Sequence, residues 1–112
     1  MLRQGDMRER IVLQRPATNR TGLGTANLGW EDVAEVWAAI RGLSSREVLQ
    51  AMQANSIATH EVKIRFYKGI ESTWRAVWKD AKSGTERVME FAGAPMEREM
   101  RTAHVILCKE VT

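Results

Sequence analysis

A single cysteine, Cys108, stands in the 112 residues, so no internal disulfide is available and the chain suits a reducing compartment. His60 and His104 are the only histidines, and without a further ligand at metal spacing no zinc site is expected. No apolar run is long enough to cross a bilayer, so no membrane partner is expected. The opening MLRQGDMRERIVLQRP has no uninterrupted hydrophobic segment behind its charges and does not read as a secretory signal; the protein is expected to be made inside the cell. The glycine-rich stretch GLGTANLG lacks the Lys-Ser/Thr ending of a phosphate loop. Cys108 and His104 have neither an electropositive setting nor an orienting group, and no serine or carboxylate joins a nucleophile–base arrangement. Neither an enzyme nor a cofactor is expected.

The composition is otherwise that of an ordinary globular chain, 44% hydrophobic and 28% charged. At this length residues 1–112 make one domain with a modest core. The charge is uneven. Arg3, Arg8, Arg10, Arg15 and Arg20 against Asp6 and Glu9 give 5 − 2 = +3, which is the entire net charge of the chain. Such an arm suits phosphate or an acidic protein surface, or simply a charge-protected edge strand.

Most of the chain reads as short strands. RERIVLQR alternates, with Ile11 and Leu13 on one face, and Pro16 is expected to end that strand. Residues 17–29, ATNRTGLGTANLG, carry three glycines and no periodicity, and read as a long flexible loop. Trp30, Val33, Trp37 and Ile40 fall at helical spacing, yet 34–41 also alternate as a strand, and a strand from about Ala34 to Arg41 is what the family resemblance given below favours. Ser44 and Glu47 form a capping-box pattern ahead of a helix to about Ala54, whose Val48, Leu49 and Met52 are expected to plug the sheet.

HEVKIRFY is the cleanest strand, with Val62, Ile64 and Phe66 expected inward. Strands follow around 74–79 and 86–92, with a turn at Lys82-Ser83-Gly84. The stretch 102–111 is apolar on both faces and needs cover. This pattern predicts a mainly β fold, a small antiparallel β-barrel with one short α-helix and a long flexible loop. Trp74 and Trp78 fill its core, or else they stack bases as in a single-stranded nucleic-acid-binding barrel.

Four segments in order resemble the phage head–tail joining family, also called head-closure, stopper or head–tail adaptor proteins. They are the basic first strand RIVLQRP, the stretch WEDVAEVWAAIRGLSSREVLQA, the strand ATHEVKIRFYKGI and the ending HVILCKEV. The match is looser over 71–100, which leaves the strand register open there. The resemblance implies a structural virion protein of a bacteriophage or prophage. It would form a ring beneath the portal, close the DNA-filled capsid and present a docking surface for the tail. Its partners would be further copies of itself, a portal or adaptor protein, tail proteins and, without sequence preference, packaged DNA.

A ring repeats one heterologous interface until it closes, so each subunit needs two unlike patches. The basic first strand with Arg10 and Arg15 is expected to supply one, and the outward side of the last strand, Val105 and Leu107, the other. The loop glycines Gly22, Gly24 and Gly29 would let that segment order on a neighbour. Arg15 and Arg20 are expected to line the channel and meet phosphates.

Overall fold

The computed structural model describes residues 7–20 and 26–111. Its elements in chain order are β1 (Glu9–Arg20), β2 (Ala26–Gly42), α1 (Ser45–Gln53), β3 (His60–Arg65), β4 (Arg75–Asp80), β5 (Thr85–Phe91), β6 (Met96–Arg98) and β7 (Ala103–Val111). Every pairing is antiparallel, in the order β3-β2-β1-β4-β5-β7-β6. A further pairing of β3 with β7, from His60↔Cys108 to Arg65↔Ala103, closes the sheet on itself. The fold is mainly antiparallel β with one short helix.

Alternation decides what faces inward. Ile11 and Leu13 of β1 are fully buried and meet Trp78 and Ala76 of β4. Val62 and Ile64 of β3, Met89 of β5, and Ile106 and Cys108 of β7 complete the core with Ala38. Trp74 and Trp78, 7% and 9% exposed, belong to it too. Burial of two indoles supplies much of the apolar area a chain this small needs. The register over 71–100 is now explicit, with Val77 opposite Val88, and Gly84 turns the β4–β5 hairpin at φ +71.

Several sequence expectations need correction. Pro16 does not end β1. Beyond Gln14, β4 no longer pairs with β1, so one side of the strand is open and a residue without an N–H costs no ladder bond. The stretch read as a loop over 17–29 is strand at both ends, with Ala17↔Gly29 and Arg20↔Ala26 in one hairpin. The hairpin there has no third strand beside it, and its mixed residues ATNR and ANLG show no alternation to read. Only 21–25, with Gly22 and Gly24, lie outside the described residues.

The strand favoured over 34–41 is present as part of the longer β2, and the helical spacing through 30–40 has another origin. Leu13 pairs with Ala34 but Gln14 with Asp32, so Val33 is the extra residue of a bulge and the alternation slips there.

The helix does not plug the sheet. Its capping box is present, with the Glu47 N–H donating to Ser44 Oγ at 3.3 Å and the Ser44 N–H to Glu47 Oε1 at 3.1 Å. It has no buried residue, and Leu49 and Met52 are 61% and 57% exposed. Anchorage comes from Arg41, which reaches Glu47 at 2.9 and 2.6 Å and Glu61 at 2.5 Å. Phe66 likewise leaves the core. β3 ends at Arg65, the Phe66 N–H donates to the Thr102 carbonyl, and the ring stacks on His104 at 4.6 Å.

The turn into β7 is strained. Glu99, Met100 and Arg101 have φ of 54, 55 and 67, three non-glycine residues in the left-handed region. Glu99 accepts from the Thr102 hydroxyl and pairs with Lys63, which pins the turn.

Candidate assembly surfaces

The outer face of β2, β1 and β4 carries a ladder of charge pairs around two exposed tryptophans. Arg10 reaches Glu35 at 3.1 Å, and Lys79 joins the same carboxylate at 3.6 Å. The Arg10 guanidinium lies 4.5 Å from the centre of the Trp37 ring. Further along, Gln14 donates to Asp32 at 2.7 Å and accepts from Arg75 at 2.7 Å. Arg75 in turn lies 4.2 Å from the centre of the Trp30 ring. Trp30 and Trp37 are 38% and 49% exposed, and the bulge at Val33 is what brings both to one face despite their odd separation. Exposed tryptophan beside arginine is the composition of protein–protein hot spots.

Arg15 turns to the other side of the hairpin. It holds Glu31 at 3.0 and 3.2 Å; the ion pair raises the Arg15 pKa and lowers that of Glu31. Glu35 is lowered in the same way by Arg10. Arg10 and Arg15 therefore share a strand but not a face, and each already faces a carboxylate. For Arg20 the structure gives a strand position at the end of β1, opposite Ala26. Gly29 is an exposed β2 residue paired with Ala17.

On β7, Val105 is only 7% exposed, with Lys63 and Met96 as its neighbours across the two flanking strands. That is the cover its two-sided apolar pattern required. Leu107 is half-buried opposite Glu61. Val105 thus offers a neighbour little surface, while β7 does lie across the closed sheet from β1.

Sequence reasoning missed the exposed apolar groups. Leu49, Met52 and Ile57 form one set around α1, with Ile57 at 67% exposure. Phe66 and the fully exposed Met100 form another beside the β6–β7 turn. The period of α1 was legible, but a stripe facing a core and a stripe facing solvent are written alike.

The Cys108 thiol is fully buried, and burial pushes its pKa up to about 12. His104 is held with Nδ1 accepting the Tyr67 N–H at 3.0 Å, and burial lowers its pKa, as it does that of His60. Among the described residues no three acidic, histidine or cysteine side chains converge as metal ligands. Burial also removes Trp74 and Trp78 as a base-stacking platform.

Comparison with known proteins points one way. A family model described as phage head completion protein matches residues 2–85. The solution structure of protein SF1141 from Shigella flexneri 2a is similar over 97% of this chain and 96% of that one, with 30% sequence identity and a TM-score of 0.81. A chain from the virion of a native gene transfer agent particle shares the fold at a TM-score of 0.55 and 15% identity, covering 91% of this chain and 93% of that one. No curated protein matches.

Proposed function

The chain belongs to the phage head completion protein family and is a structural protein of a phage head, and from that premise we propose that it forms the ring below the portal. In that position it closes the DNA-filled capsid and offers the tail its docking surface. Its partners are further copies of itself, a portal or adaptor protein on one side and tail proteins on the other. Packaged DNA meets it without sequence preference.

The observation that carries this reading is the family match over 2–85, well over half of the chain. Geometry adds support. The subunit presents unlike surfaces, an arginine-capped tryptophan face and an exposed apolar helix, and a heterologous ring contact needs two such unlike surfaces. The β1–β2 hairpin beyond Gln14 has no β4 beside it, and such an open strand edge is of the kind partners pair with. Arg15 and Arg20 meet the DNA, and because Glu31 already pairs with Arg15 the contact is a weak, salt-sensitive one.

Electron microscopy of particles made with and without the chain tests the reading. Heads without it should leak DNA or lack tails, and its density should lie between portal and tail. Intact tailed virions free of this chain would overturn it.

A further inference from the structure

Beside the last paired residue of β2 and beyond the end of β3, the closed sheet splays and leaves a pocket of about 260 Å³. Met7, Val36, Trp37, Phe66 and Tyr67 wall it, and Arg65 stands at its rim. The pocket is mainly apolar, and no side chain among the described residues fills it. Its size suits one or two aliphatic side chains.

The same subunit carries protruding side chains of that kind. Leu49 and Met52 on α1, and Ile57 four residues beyond it, are 61%, 57% and 67% exposed. A subunit cannot place its own helix in its own pocket. From Trp37 to Gly42 β2 runs straight for about 17 Å at strand rise. At its far end Arg41 clamps α1 through Glu47 and the sheet through Glu61. Projection and recess are therefore complementary only between copies.

Charge agrees with shape. α1 has an acidic residue in its first turn and no basic residue in its last, so the negative end of its dipole is unbalanced next to Met52. Arg65 at the pocket rim is exposed and has no ion-pair partner among the described residues. Arg101, paired with Glu97 at 3.2 Å, lies over the Phe66 ring at 6.0 Å, which leaves Arg65 as the cation that matters here. A thioether also packs favourably on the edges of Trp37 and Phe66.

We propose that the Trp37–Phe66 pocket receives the α1 helix of a second copy, with Leu49 or Met52 inserted and Arg65 facing the helix's carbonyl end. This rests on the reading of the chain as a ring subunit, and it supplies the two unlike halves of that ring's contact. Such a contact propagates head to tail and ends only where rotation closes it.

The test uses particles in which Met52→p-benzoylphenylalanine is the only version of the chain. On irradiation, a cross-linked dimer should join position 52 to the tryptic peptide holding Trp37 or to the one holding Phe66 in another copy. Cross-links confined to other peptides, or to other virion proteins alone, would overturn the contact while leaving the ring intact. Absence of the chain from particles would remove both.

Leu49→Asp lies on an exposed site and should keep the fold, checked by circular dichroism. It should weaken self-association by about ten- to a hundredfold, the worth of one buried aliphatic side chain. Trp37→Ala should do the same from the other partner. Unchanged association in both variants would overturn the proposal.

Discussion

The indole N–H of Trp78 donates to Glu9 Oε2 at 2.9 Å, tying the first residue of β1 to the middle of the core. Arg87 lies over the same indole at 4.4 Å and also reaches Asp80 and Glu110 at 3.1 and 2.6 Å. One side chain thus joins β1, β4, β5 and the end of β7. Trp78→Ala should cost about 3–5 kcal/mol, the usual loss for a buried aromatic. Urea unfolding measures it, and a loss under 1 kcal/mol would contradict the packing described.

Two tryptophans lie on the surface and two lie inside. A Trp30→Phe, Trp37→Phe double variant should therefore emit at shorter wavelength and respond little to acrylamide. Adding single-stranded DNA should leave that emission unchanged. Strong quenching by DNA would restore the base-stacking reading.

The acid response of α1 follows from its cap. The bonds from Arg41 and the Ser44 amide bring the Glu47 carboxyl from 4.5 down to about 2. A folded-state value below the unfolded one stabilises above pH 4.5 and is lost as pH falls toward 2. Helix signals should hold steady from neutral pH to about 5 and fade below it. Glu47→Gln should flatten that dependence, and an NMR pH titration reads both.

Because α1 has no buried residue, its cap matters locally rather than globally. Ser44→Ala should raise hydrogen exchange of the α1 amides by about fivefold, equivalent to about 1 kcal/mol. The midpoint of global unfolding should barely move. A large drop in that midpoint would mean the helix packs more tightly than described.

Strain at the β6–β7 turn is open to relief. Met100 is 96% exposed with φ 55, so its side chain gives up nothing on removal. Met100→Gly should stabilise by about 1 kcal/mol, the steric cost of a left-handed residue with a Cβ. Thermal unfolding checks the sign.

Much of the fold was legible because burial writes a clear pattern. Ile11 and Leu13, Val62 and Ile64, and Trp74, Ala76 and Trp78 alternate, and each set is buried as its period implied. The illegible parts lack that signal. Residues 17–20 and 26–29 pair only with each other and carry no alternation, so a paired ribbon looked like a loop. The bulge at Val33 shifted the period of β2 and produced a false helical spacing. For the surface, amphipathicity reveals that Leu49 and Met52 lie on one stripe but not what covers it. The arginines of β1 were visible as charge, whereas their partners Glu31 and Glu35, some twenty residues away, become neighbours only through the hairpin.

The registration of β3 against β7 has a consequence for synthesis. On one side His60 pairs with Gly42 of β2, but the other edge of β3 is filled only by β7, where Thr59 donates its N–H to the Cys108 carbonyl and His60 pairs with Cys108. Before β7 emerges the nascent chain exposes β3 and β5 as raw hydrogen-bonding borders, each able to recruit a stray strand. Chaperone demand should therefore persist until β7 is in place, and a polypeptide lacking β7 should yield inclusion bodies rather than a smaller soluble subunit.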